Sequence, residues 1–158
     1  MKKSYKIVVV INENARGGST RDFLHENLYK LIEAFQKESG YQIAMLFSRS
    51  REHLAKSIVS LQNQGYNVFV TYGGDGTIND TIQELNEGTF LIPISAGNAN
   101  DFAARLNIRN TDDVQVAFQD VLAMLEDLIS GRLNIIGLDI GEIQFSDASG
   151  NLRRNRFA

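Results

Sequence analysis

Hydrophobic positions along the chain follow two different periodicities. Residues 6–11 form a continuous β-branched run, which is typical of a strand buried on both faces. Shorter apolar runs predict further strands at 41–47, 67–72 and 90–94. Between these runs, apolar residues recur at helical spacing and predict helices over 23–40, 54–65, 77–85 and 112–130. An S-x-x-D pattern at Ser19 and Asp22 predicts the start of the first helix, and Thr111 is the expected cap of the last.

Strands that alternate with helices predict a mostly parallel sheet whose two faces are both covered by helices. We therefore expect a three-layer α/β domain over residues 1–133. The pattern changes at residue 134: a strand is predicted over 134–145, a turn over 146–151, and the start of another strand over 152–158. We interpret residues 134–158 as the start of a connection to a further domain of a longer protein.

Composition excludes several classes of function. The chain has 158 residues, a net charge of −3, and 16 basic residues well mixed with 19 acidic ones. No Lys/Arg stripe stands out, so we expect no nucleic-acid partner. The absence of cysteine excludes disulfides and thiolate metal sites, and His25 and His53 are interpreted as solvated helix residues. No apolar run approaches the roughly 20 residues of a membrane span, and no signal-peptide core is found, which predicts a cytoplasmic protein.

The stretch "TYGGDGTINDT", residues 71–81, carries the candidate chemistry. A loop between a parallel strand and the next helix lies at the carboxyl edge of the sheet, where α/β proteins place ligands. Glycines let backbone N–H groups approach an anion, and the helix start adds its positive dipole end. The alternative is a tight turn that needs positive φ, with Asp75 merely solvated. An acid beside phosphates is reasonable if it serves a divalent cation or orients the attacking hydroxyl.

A second motif makes the pattern specific. "GGDGTIND" at 73–80 is followed by "SAGNANDFAARLNI" at 95–108. Together they resemble the catalytic domain of the diacylglycerol kinase family, which includes bacterial lipid kinases and the sphingosine and ceramide kinases. The resemblance runs from about Lys6 to Ala158. It implies ATP-dependent transfer of the γ-phosphoryl group to a lipid hydroxyl, with diacylglycerol as the first candidate for the acceptor. The resemblance also implies that the reaction uses Mg²⁺ and takes place at the membrane surface. NAD kinases use similar glycine loops but lack the second motif. An NAD kinase-like enzyme and a nucleotide-sensing domain without catalysis remain the alternatives.

The resemblance also implies site residues. Asp75 is the candidate catalytic acid, and Asp75, Asp101 and Asp139 are expected in a network near the magnesium. The positions expected to contact the nucleotide are Asn12, Arg16, Ser48, Gly73, Gly74, Asp75, Gly76, Thr77, Asn79, Asp80 and Asn98. Gly74 is expected to need close backbone approach and a backbone angle that β-branched residues avoid.

This sequence departs from the family pattern at several of those positions. In the first loop Glu13 replaces a proline, Ala15 a serine and Arg16 a glycine, while Asp80 stands for a glutamate and Asn98 for a threonine. The family has a second, β-rich domain that supplies the catalytic base and the lipid pocket. We therefore expect the base beyond residue 158, an inactive fragment, and an apolar surface around residues 134–158 through which a homodimer could form.

Overall fold

A computed structural model of the chain describes residues 4–18, 21–96, 101–106, 108, 111, 113–137, 139–146 and 149–157. Its centre is a sheet of four parallel strands in the order β2-β1-β3-β4. The strands are β1 (Ile7–Ile11), β2 (Ile43–Phe47), β3 (Val68–Gly73) and β4 (Phe90–Ser95). The predicted parallel sheet is thus confirmed. The carboxyl ends of all four strands lie at one edge, which is the edge that carries the glycine-rich turn.

Helices cover both faces of this sheet. They are α1 (Arg21–Glu26), α2 (Leu28–Ser39), α3 (Arg51–Asn63), α4 (Asp75–Ile82), α5 (Asp101–Arg105) and α6 (Val114–Ser130), with a 3₁₀ turn at Ala15–Gly18. In β1, Ile7, Val9 and Ile11 join the core beneath α1, α2 and α6. Val8 and Val10 join the opposite core beneath α3. Two-sided burial explains why this strand is a continuous apolar run, and the three-layer prediction is confirmed.

Several element boundaries differ from the prediction. The single helix expected over 23–40 is interrupted at Asn27, whose φ of −110° departs from helical values. Helical hydrogen bonds nevertheless continue across the break, from Asn27 N to Phe23 O and from Leu31 N to Asn27 O. The last helix is capped by Asp113 rather than by Thr111: the Asp113 carboxylate accepts from the backbone N–H groups of Gln115 and Val116. The Thr111 hydroxyl accepts instead from the Asp113 N–H at 3.2 Å, so it lies too early in the chain to reach the free N–H groups of the helix start.

The region after α6 forms its own small sheet. Strands β5 (Gly141–Ser146) and β6 (Leu152–Phe157) pair antiparallel, so the strand predicted over 134–145 begins only at Gly141. Exposed large apolar side chains concentrate here, at Ile135, Ile136, Ile140, Ile143 and Leu152. The expected apolar surface is therefore present. Among the described residues, no helix is long and apolar enough to cross a membrane.

The hairpin of β5 and β6 is held to the main domain by a polar joint. The Gln83 side chain, just after α4, donates to the Arg156 carbonyl and accepts from its N–H, both at 2.7 Å. The Arg156 guanidinium in turn donates to the Leu85 carbonyl at 2.8 Å. Gln83 is 6% exposed. The joint therefore fixes β6 to the end of the helix that begins in the glycine-rich turn.

Candidate functional site

The candidate site lies at the carboxyl edge of the sheet, where backbone hydrogen bonds bring three connections side by side. Asn12 N donates to Tyr72 O at 3.0 Å, Ser48 N donates to Ile11 O at 2.8 Å, and Ala96 N donates to Gly73 O at 3.0 Å. These bonds extend the parallel ladder one residue beyond each strand. The loops that follow β1, β2, β3 and β4 therefore start next to one another. This edge is the usual ligand position in open α/β sheets.

The glycine-rich turn is shorter than the sequence predicts. β3 continues through Gly73, and α4 begins at Asp75, two residues before the expected start at Thr77. Gly74 has φ −81° and ψ −179°, an extended conformation that any residue adopts. The expectation that Gly74 needs an unusual backbone angle is therefore wrong. Since the turn has no positive φ, the alternative of a positive-φ turn is wrong as well.

Close packing, rather than backbone angle, is what requires a glycine in this turn. A Cβ atom added to Gly73 would lie 2.6 Å from Thr77 Cβ and 2.7 Å from Thr77 Oγ1. Real carbon atoms do not approach so closely, so Thr77 sits directly against the Gly73 backbone. A Cβ added to Gly76 would meet no atom within 4 Å. The absence of a side chain at Gly73 thus lets the first turn of α4 lie against the end of β3.

Asn12 ties the first loop to the glycine-rich turn. Its side-chain amide donates to Thr77 Oγ1 at 2.9 Å, and its side-chain oxygen accepts from Asn14 N at 3.0 Å. The loop then enters the 3₁₀ turn, in which Gly17 and Gly18 have φ values of 66° and 78°. Both glycines therefore use the left-handed conformation that glycine adopts without strain. The sequence-predicted residues Asn12 and Thr77 are therefore in direct contact.

Asp75 links the two sequence motifs. Its Oδ2 accepts from the Asp101 N–H and its Oδ1 from the Phe102 N–H, each at 3.2 Å. Asp75 is the first residue of α4, and Asp101 is the first residue of α5. The carboxylate thus satisfies free N–H groups at the start of α5. An acid in the glycine-rich turn therefore has a structural partner that the sequence did not predict, and this contact sets the second motif beside the first.

The other predicted contact residues occupy varied positions at the same edge. Asp80 is ion-paired with Arg51 of α3 at 3.2 Å, so its carboxylate is directed toward the neighbouring helix. Asn79 is exposed on α4, and Ser48 lies directly after β2. The backbone of Arg16 lies in the 3₁₀ turn. Asn98 falls within 97–100, outside the described residues.

The three acids expected near the magnesium have different surroundings. The structure brings Asp75 and Asp101 together, whereas Asp139 lines a groove on the β4 side of the domain. Within the described ranges, no group of three histidine or acidic side chains is placed to hold a metal ion. Mg²⁺ is usually held by one or two carboxylates together with substrate phosphates. The described residues thus show no Mg²⁺ site built from protein ligands alone, and the magnesium network stays a prediction.

The groove that Asp139 lines is separate from the glycine-rich turn. It has a volume of about 1060 Å³ and runs along the open edge of β4 between α6 and the segment after it. Its walls are mainly apolar, with Ile92, Val121 and Met124 among them. Sequence reasoning missed both this groove and the joint at Gln83. A glutamine near the end of a helix carries no signal of a partner 73 residues later.

Fold and site together define a class. A parallel sheet with a glycine turn, a helix start and an acid at its carboxyl edge is typical of open α/β domains, which place their ligands at that edge. The model of the diacylglycerol kinase catalytic domain matches residues 6–131. The chain belongs to the diacylglycerol kinase catalytic domain family.

Solved structures agree with this fold. One is a diacylglycerol kinase from Bacillus anthracis str. Sterne, with a TM-score of 0.55 and 19% identity over 96% of this chain. A second structure from that strain, of a protein assigned as a diacylglycerol kinase, gives a TM-score of 0.57 at 18% identity, again over 96% of this chain. The chain spans 49% and 48% of the lengths of these two structures. No curated protein sequence matches it.

Proposed function

We propose that this chain is the nucleotide-binding part of an ATP-dependent lipid kinase that phosphorylates a lipid hydroxyl, with diacylglycerol as the first candidate. The observation that carries the proposal is the Asp75 carboxylate, which bonds the start of α5 and so joins the two family motifs into one site. The family match supports the kinase class. ATP as the phosphoryl donor and diacylglycerol as the acceptor are proposed from the resemblance to this family.

Each group at the carboxyl edge has a role in this proposal. The backbone N–H groups of the turn after β3 would bind phosphate oxygens at the positive end of α4. Asn12 and Thr77, bonded at 2.9 Å, would hold the first loop against this turn. Asp75 would orient the second motif and, with Asp101, face the metal. Magnesium, when bound, offsets the negative charge of the transferred group.

The acceptor side is proposed to lie in a further domain. Residues 1–133 would form the nucleotide-binding domain, and residues 134–158 would begin the connection to a β-rich lipid-binding domain that carries the catalytic base. The support is that related structures are about twice as long, since this chain spans 48% of one of them. The five exposed apolar side chains between Ile135 and Leu152 give such a domain a surface to cover. A cytoplasmic protein that works at the membrane surface is part of the same proposal.

Calorimetric titration of the chain with ATP and magnesium tests the nucleotide part. We expect saturable binding that requires magnesium, and none with NAD. A ligand at 100 times its dissociation constant adds about 2.7 kcal/mol of stability, so a thermal shift of several degrees should accompany it. Thr77→Val removes the acceptor of Asn12 and should weaken binding. Thr81→Val, one turn later and fully buried, is the matched control. It loses a hydrogen bond to the Thr77 backbone carbonyl but keeps the Thr77 hydroxyl that Asn12 contacts, so it should bind as the unaltered chain does.

A transfer assay tests the acceptor part and separates the alternatives. A longer protein that contains this chain and the following half should phosphorylate diacylglycerol in detergent, whereas the 158-residue chain alone should not. Phosphorylation of NAD would favour the NAD kinase-like enzyme. ATP binding without transfer to any lipid by the longer protein would favour a nucleotide-sensing domain. Efficient lipid phosphorylation by the short chain would overturn the two-domain proposal.

A further inference from the structure

Glu13 occupies the position at which the family resemblance leads us to expect a proline, and its side chain has a defined partner. Its Oε1 lies 2.5 Å from His25 Nε2 of α1. The His25 ring stacks on Phe47 at the end of β2, with ring centroids 5.6 Å apart and an interplanar angle of 1°. The face of the His25 ring thus packs on an aromatic ring and its Nε2 contacts a carboxylate, although half of its side chain is exposed.

The contact is one of three that fix successive side chains of the first loop. Asn12 donates to Thr77 at 2.9 Å, Glu13 contacts His25, and Asn14 accepts from the Arg21 guanidinium at 3.1 Å. A proline would restrict this loop through its ring. Here side-chain hydrogen bonds to α1 and α4 take over that restriction. The loop is therefore attached to elements on both sides of the sheet's carboxyl edge.

The charge of Glu13 gives this contact a consequence for ligand binding. A carboxylate in a loop beside an anion site repels phosphates, and the repulsion grows as the charge comes closer. The contact with His25 Nε2 holds the Glu13 side chain toward α1, and the stacking of His25 on Phe47 places this pair beside β2. α4, which begins in the glycine-rich turn at the carboxyl edge, lies beside α3 on the face of the sheet opposite α1, and Asp80 of α4 pairs there with Arg51 of α3.

We propose that His25 is a positioning residue for nucleotide binding: it holds the Glu13 carboxylate away from the phosphates. The inference rests on the proposed function, because it concerns the same phosphate site. It predicts that replacing His25 weakens ATP binding because the Glu13 carboxylate is then free to approach the phosphates. Removing the charge of Glu13 should therefore restore the affinity for ATP.

The test is titration of the 158-residue chain with ATP and magnesium. His25→Phe keeps a ring against Phe47 but cannot bond to Glu13, and we expect the dissociation constant to rise about three- to tenfold at low salt. His25→Phe combined with Glu13→Gln should return to within about twofold of the unaltered chain. The rise should shrink at about 0.5 M salt, because screening weakens repulsion between exposed charges.

Lys56→Ala is the matched control. Lys56 donates to Glu52 at 2.7 Å in an exposed pair on α3, and this bond lowers the pKa of the Glu52 carboxyl. Freeing that carboxylate should leave ATP binding unchanged. Circular dichroism checks that each variant is folded.

Each outcome decides the proposal. Unchanged binding by His25→Phe would overturn it, and so would a loss that Glu13→Gln does not repair, because the contact would then act only through packing. Failure of the unaltered chain to bind ATP would overturn the proposed function and this inference together. Normal binding by the unaltered chain with no effect of His25→Phe would overturn the inference alone.

Discussion

The substitution Gly73→Ala tests how the glycine-rich turn is packed. The added Cβ would lie 2.6, 2.7 and 2.9 Å from the Cβ, Oγ1 and Cγ2 atoms of Thr77. These are the first atoms of a β-branched side chain rather than the end of a flexible one, so the backbone of α4 must shift. Any shift of Thr77 also disturbs its hydrogen bond with Asn12, at 2.9 Å.

The expected loss of stability follows from three contributions. Overpacking costs about 1–3 kcal/mol, and losing the Asn12–Thr77 hydrogen bond costs about 1 kcal/mol. Replacing glycine lowers the entropy of the unfolded chain, which returns about 0.4–1 kcal/mol. The net loss should be about 2 kcal/mol. With an m value of about 2 kcal/mol per molar, the urea midpoint should fall by about 1 M.

Urea unfolding followed by circular dichroism measures this loss, and the chain offers a matched control. Gly76→Ala lies in the same turn, where an added Cβ meets nothing within 4 Å, and alanine favours helix, so its midpoint should stay or rise. In a Thr77→Gly background the clash partner is gone, and the cost of Gly73→Ala should largely disappear. A midpoint for Gly73→Ala equal to that of Gly76→Ala would refute the packing argument.

Three further predictions follow from single contacts. Asp75→Asn leaves an amide N–H group facing one of the two backbone donors of α5, so the chain should lose about 1–2 kcal/mol of stability in urea unfolding. In a longer, active protein we expect the same substitution to lower kcat by about 10²-fold or more. Normal turnover by that variant would contradict the catalytic role of Asp75. Thr71 is fully buried, and its hydroxyl has no hydrogen-bond partner among the described residues, so Thr71→Val should stabilise the chain by about 1 kcal/mol in urea unfolding. Thr81→Val, which loses a bond to the Thr77 carbonyl at 2.9 Å, should not stabilise it. Light scattering should show concentration-dependent association that shortening the chain to residues 1–133 abolishes; a monomer at all concentrations would contradict the association through residues 134–158.

The sequence predicted the architecture because strands and helices each impose a local periodicity on the apolar residues. The continuous apolar run of β1 indicated burial on both faces, and Ile7 and Val8 do lie in opposite cores. The glycine-rich motif and the later N-D-F-A motif identified the family on their own, since both are contiguous strings. Boundaries were less certain: Asn27 interrupts a helix through its φ angle, and the strand expected at 134 begins at Gly141.

The tertiary structure decided what the site residues do, because their partners are distant in sequence. Asp75 bonds residues 26 and 27 positions later, and Asn12 bonds Thr77 across 65 positions. Neither spacing leaves a periodic or local signal. Gly73 is required because the Thr77 side chain packs so close that a Cβ added at residue 73 would lie 2.6 Å from Thr77 Cβ. The sequence by itself thus determined the fold and the family, while the packing at the carboxyl edge of the sheet decided which residue contacts which.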